Sequence, residues 1–213
     1  MNITIDGAPS EMPPGQHETL GDVYSQLVAT AAESGRVVAA IEIDGKAIPA
    51  GRIWDLKSQP VAEVGTLGLT TRDTKEMVRE MMASTRDHVT LLISETEKTA
   101  TMFRVGNELG AQERFAQCAS GLQWFLKALD ALRGFLELDY AAIRMDQASV
   151  GANFEELIPL VDNVLDAQAE GDSIQLADLM EYELAPKMRK WLDFLPQLEE
   201  KALALCQYSD KSV

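Results

Sequence analysis

Two histidines, two cysteines and one knot of carboxylates are the residues of this chain whose chemistry could reach beyond packing. A nucleophilic hydrolase needs a base within reach of its nucleophile, and histidine is the usual base. His17 lies in a Pro-Gly segment, and His88 follows Arg86 and Asp87 in a helical pattern. Cys118 could pair with His88 in three dimensions, but it stands on an apolar stripe, where an inert buried thiol is the expected finding. Neither histidine has a glutamate three positions before it, as a di-metal helical site would require, and no Cys-x-x-Cys spacing occurs. Asp178, Glu181 and Glu183 crowd around Tyr182, with Asp178 and Glu181 on one helix face. A divalent cation would suit them, but a solvated acidic face is the simpler expectation. There is no phosphate-binding glycine pattern, so no nucleotide cradle is visible. No catalytic residue, cofactor or metal is assigned, and a positive case for an enzyme is lacking.

Binding is the remaining chemistry. Tryptophan and tyrosine are favoured interface anchors, which singles out Trp54 in a short irregular stretch and Tyr182 and Trp191 on the last helical run. Met77 and Met81, with Met82 beside them, add a second candidate contact patch of adaptable apolar side chains. Core filling is the competing reading for each aromatic, and packing against the N-terminal domain for the methionines.

Charge narrows the partners. The formal net charge is −15 and the pI is near 4.5, so phosphate backbones and anionic lipid surfaces are repelled. The densest cations, Lys187, Arg189 and Lys190, have acidic neighbours. A protein partner, basic or presenting an amphipathic helix, suits this field, and solubility explains the same charge. Nucleic acid and membrane are not expected. Two widely spaced cysteines are no disulfide framework, no stretch reaches the roughly 18 apolar residues of a membrane helix, and the start MNITIDGAPSEMPPG lacks the features of a secretion signal. A cytoplasmic location is expected.

Two kinds of element must position these residues. Residues 2–6 alternate as a strand, 7–17 hold three prolines and two glycines, and Thr19 with Asp22 has capping-box spacing ahead of a helix that Gly35 closes. Residues 37–43 read as a well-buried strand, Asp44-Gly45 as a tight hairpin turn, 46–48 as the return, and 66–70 as a closing strand. Gly45-Lys46, Gly51-Arg52, Asp55, Thr66-Leu67 and Leu69 together resemble the second half of ubiquitin. The resemblance implies a ubiquitin-like β-grasp domain over 1–71. It does not imply conjugation or sulfur carriage, because the expected Gly-Gly is replaced by Thr71-Arg72-Asp73 and the chain finishes at Val213.

From 72 to 213 the period becomes helical, which predicts an antiparallel helical bundle and an α+β chain overall. The first stripe is Val78, Met82, Thr85, Val89, Leu92, Thr96, Thr99 and Phe103, and its threonines predict shallower burial. The second is Phe115, Cys118, Leu122, Phe125, Leu129 and Leu132. Asn153 is a candidate cap for the third helix, which Gly171 ends. Pro186 and Pro196 interrupt the last stripe and predict a bend or break near Ala185. The expected function is a protein-interaction module, adaptor or chaperone-like. The alternatives are a structural component that forms a homo-oligomer, or an enzyme or small-ligand binder with a pocket between the domains.

Overall fold

The structure is a computed structural model that describes residues 1–13, 15, 17–49 and 52–208, apart from the side chains of 54, 56, 207 and 208. Gly51 and the Trp54 side chain, both invoked above, lie outside the described residues. The chain divides into two compact units, Met1–Met77 with the segment from Leu203, and Val78–Ala202.

The first unit is a mixed sheet with one principal helix. β1 (Asn2–Ile5) turns through Asp6 and Gly7 into β2 (Ala8–Ser10). Both turn residues have positive φ, +52° and +79°, the backbone that a two-residue hairpin demands. α1 (Leu20–Glu33) starts at a reciprocal capping box: Asp22 N–H donates to Thr19 Oγ1 at 3.3 Å, and Thr19 N–H donates to Asp22 Oδ2 at 2.9 Å. Aspartate thus serves where glutamate is usual. β3 (Arg36–Ile43), β4 (Lys46–Ile48), the short α2 (Ile53–Leu56), a 3₁₀ turn (Val61–Glu63) and β5 (Thr66–Asp73) follow. The sheet order is β2-β1-β5-β3-β4, with β1 parallel to β5 and the other pairs antiparallel. Ile3, Leu20, Val23, Leu27, Leu67 and Leu69 form the centre of its core. The expectation of a deeply buried β3 needs correction. Only Ile41 and Ile43 are buried, while Ala39 and Ala40 are exposed beside a register shift between Val38 and Ala40. The alternating side chains of a strand reach two faces, and β3 buries one of them.

The second unit is mostly helical. α3 (Thr74–Arg104) enters it from Val78, α4 (Glu108–Leu136) follows, and a hairpin of β6 (Arg144–Met145) and β7 (Ala148–Ser149) leads to α5 (Val150–Glu155) and α6 (Leu157–Glu170). α7 (Ser173–Asp178), a π-helical turn (Leu179–Leu184) and α8 (Ala185–Tyr208) complete it. All eight residues of the α3 stripe are buried, threonines included. The prediction of shallower burial fails because a threonine hydroxyl in a helix can bond its own backbone. Thr85 donates to the Met81 carbonyl at 2.8 Å and Thr99 to that of Glu95 at 2.7 Å, so each enters the core nearly as an apolar group. The α4 stripe is buried as its spacing predicts.

Two further expectations are corrected. The all-helical reading missed the β6–β7 hairpin, whose strands of two residues each carry no measurable period. Asn153 does not cap a helix: Ser149 caps α5, and Asn153 is buried with its amide donating to the carbonyls of Met145 and Ser149.

Ion pairs set the direction of α3 against the last helical run. Arg104 meets Asp178 at 2.6 Å and also Glu181, Glu97 meets Arg189, and Arg86 meets Glu199. Partner numbers rise as α3 numbers fall, so the two run antiparallel.

Candidate interaction site

The site grows from one proline. Pro186 has no N–H and its ring would collide with the carbonyl of Tyr182 in a regular helix. The preceding residues widen instead of breaking: Ala185 N–H donates to the Met180 carbonyl, five residues back, and Leu179–Leu184 form a π-helical turn. The i→i+5 register is thus reached just ahead of the residue that has no N–H to give. The expected bend near Ala185 is thus absorbed by widening, and α8 continues through an exposed Pro196.

The widened turn points different residues to different sides. Met180 and Leu184 are buried, whereas Tyr182 is 63% exposed. Its ring lies 4.9 Å below the Arg104 guanidinium, a cation–π contact. Arg104 in turn holds Asp178 and Glu181. The Asp178 hydrogen bond, then the Glu181 charge, push the guanidinium pKa above its usual value. Tyr182 thus carries the guanidinium against one face of its ring and leaves most of its surface to solvent. Around it opens a shallow groove of about 600 Å³ lined by Ile174, Leu179, Tyr182, Asp172, Asp178 and Glu183, with Gln175. Ile174 is 71% exposed, and Val105 and Leu109, just beyond Arg104, are 73% and 91% exposed. The chemistry is apolar contact inside a ring of carboxylates.

The other predicted residues divide. Trp191 is a correction: it is fully buried, edge-on to Phe125 at 5.6 Å, and so belongs to the core. Met77 and Met81 are half-buried. His88 is held at 2.9 Å by the Gly121 carbonyl and stacks on Trp124 at 4.2 Å, an approach that the missing side chain of Gly121 allows, since a Cβ there would sit 3.3 Å from His88 Nε2. Cys118 instead pairs with Thr99, Sγ to Oγ1 at 3.7 Å, and burial pushes its thiol pKa up. His17 bonds the Pro13 carbonyl at 2.9 Å. His88, His17 and Cys118 thus hydrogen-bond to Gly121, Pro13 and Thr99 respectively, and among the described residues no three His, Cys, Asp or Glu side chains gather as metal ligands would. No described helix is long and apolar enough to cross a membrane.

Sequence reasoning missed Arg104, Ile174 and Leu109. Ile174 could have been found, because it is an apolar residue out of phase with Leu176 on the α7 stripe. Arg104 could not, because nothing local pairs it with a segment 74 residues away.

A sequence profile for the TP0873 N-terminal domain matches residues 1–73, the stretch of the mixed sheet. A second profile, for a domain of unknown function, DUF8042, matches residues 80–194, more than half of the chain. The chain belongs to the DUF8042 family. The DUF8042 match takes in Arg104, the whole π-turn and Trp191. The chain is also 28% identical over 199 residues to an uncharacterized protein of Treponema pallidum (strain Nichols), covering 91% of this chain and 95% of that relative. No solved structure matches it.

Proposed function

We propose that the chain is a protein-interaction module, an adaptor or chaperone-like protein whose helical part docks a basic, amphipathic segment of a partner against Tyr182. One observation carries this reading: Tyr182 and Ile174 stand exposed in a groove edged by Asp172, Asp178 and Glu183. A rigid aromatic on a fixed base is the kind of residue that dominates interface energy. The carboxylates favour lysine and arginine on the incoming segment. They disfavour self-association through this face, because a second copy would bring carboxylate against carboxylate.

The scaffold reading follows the same logic. The sheet order, with β1 parallel to β5 and α1 between β2 and β3, supports a ubiquitin-like β-grasp for residues 1–71. The antiparallel run of α3 against the last helix supports an antiparallel bundle for 72–213. Cys118 and Cys206, neither of them in a disulfide, fit a cytoplasmic setting.

The test uses Ile174→Asp and Tyr182→Asp at exposed positions, with circular dichroism melts to check that each variant is folded. Full-length chain with a photo-crosslinker at Ile174 is incubated with native-host extract, and the crosslinked segment is sequenced. The expected result is one stoichiometric partner joined through a basic amphipathic segment, with affinity falling about tenfold or more in each variant. A chain that retains no partner, or variants that bind as well as wild type, overturn the reading.

A further inference from the structure

The outward side of α4 is its own complement when reversed. Glu113, Ala116, Ser120, Trp124 and Lys127 are all exposed. At about 100° per residue they lie within about 40° of one line along the helix, opposite the buried stripe of Phe115, Cys118, Leu122, Phe125 and Leu129. Their spacings of three, four, four and three residues average about 3.5, the repeat of two helices packed lengthwise. Ser120 is the midpoint. Glu113 and Lys127 stand seven residues to either side of it, and Ala116 and Trp124 stand four.

The shapes match as the charges do. Ser120 donates its hydroxyl back to the Ala116 carbonyl at 2.9 Å, so the centre of the strip is small and already satisfied. Trp124, 40% exposed, is the one large side chain of the strip, and its ring is steadied by His88 at 4.2 Å. On the side toward α3 runs a groove of about 500 Å³ lined by His88, Ala116, Gln117, Ser120, Gly121 and Trp124. Among these residues there is no carboxylate, lysine or arginine. Glu113 and Lys127 bound the strip at its two ends, and neither has an ion-pair partner among the described residues.

We propose that this strip is the interface of a homodimer, in which two copies of α4 pack antiparallel about a two-fold axis at Ser120. Reversal brings Trp124 of each copy to the level of Ala116 of the other, beside the groove, and sets Lys127 against Glu113 twice. Such an interface is isologous, the same patch serving both subunits. Charge is what selects a second copy. Chains of net charge −15 repel one another over most of their surfaces, whereas here each copy offers one cation and one carboxylate at the distances that reversal exchanges. A parallel pairing would set Glu113 against Glu113 and Trp124 against Trp124. The strip is roughly 21 Å long at about 1.5 Å per residue, a small contact, and the dimer is accordingly a weak one. It uses none of the residues of the Tyr182 groove, and either surface stands without the other.

The experiment is sedimentation equilibrium of the full-length chain and four exposed-site variants, with circular dichroism melts to check that each is folded. Wild type is expected to dimerise with a Kd of about 10–100 µM. Ser120→Arg sets two like charges on the axis and should raise the Kd at least about tenfold. Glu113→Lys and Lys127→Glu each turn two attractions into repulsions and should raise it by about tenfold. The double variant Glu113→Lys/Lys127→Glu restores opposite charges in reverse and should return to within about threefold of wild type. A chain that stays monomeric to about 500 µM overturns the proposal and leaves the face to a different protein. So does a dimer indifferent to Ser120→Arg, which must form elsewhere, or a double variant no tighter than its single parents.

Discussion

Asp6 stands in a left-handed turn, and its carboxylate nevertheless holds Thr71 twice, accepting from the backbone N–H and the hydroxyl at 2.7 Å each, and Arg36 once at 3.2 Å. The Thr71 backbone bond, then the Thr71 hydroxyl, hold its pKa below the ordinary 3.8. A carboxylate whose folded pKa is depressed stabilises the fold fully above the unfolded value, and loses that contribution as pH falls through the folded one. Asp6→Asn keeps the turn, since asparagine tolerates positive φ, but should lower the melting temperature at neutral pH. It should also flatten the loss of stability below about pH 4. Thermal melts followed across that range check both, and a variant with the wild-type acid profile would remove Asp6 from this role. Residue type alone does not foretell such roles. Tyr182 and Trp191 both satisfied the same interface argument, yet one faces solvent and the other is core, because which side of a helix meets its neighbours depends on those neighbours.

At the scale of elements, α3 shows what a threonine-bearing stripe can and cannot hide. Thr85 and Thr99 satisfy their hydroxyls within the helix, but the Thr96 hydroxyl is fully buried with no partner. Leaving a buried hydroxyl unpaired costs about 1–3 kcal/mol. Thr96→Val keeps the shape and removes the orphan, so it should stabilise the chain by about 1 kcal/mol. Thr99→Val, which discards a made bond, should not. Denaturant midpoints of the two variants measure the contrast, and equal shifts would defeat it. The helices themselves were legible in the sequence because a 3.6-residue period repeated over many turns outweighs any single residue. The hairpin at 144–149 was illegible because it is too short to hold a period. The π-turn lies between these cases: Pro186 announced a disturbance, and only the register of the surrounding carbonyls chose widening over a break.

At the scale of the whole molecule, a net charge of −15 would make encounter with the basic partner proposed above a long-range electrostatic event. The association rate of that partner should therefore fall steeply as ionic strength rises from about 0.02 M to about 0.2 M, with the dissociation rate changing much less. Surface-plasmon kinetics at several salt concentrations reads the two separately. A salt-independent association rate would deny charge its role.

Local and periodic information sufficed for what the sequence by itself determined: a strand-rich start, a helical remainder, the capping box at Thr19, the core stripes of α3 and α4, and a disturbance at Pro186. Tertiary structure alone decided that Arg104 would brace Asp178, Glu181 and Tyr182, that Trp191 would be lost to the core, and that His88 would stack against Trp124. These depend on residues tens of positions apart meeting in space. No period along the chain encodes that pairing, since it is the packing of one helix surface against another that selects it.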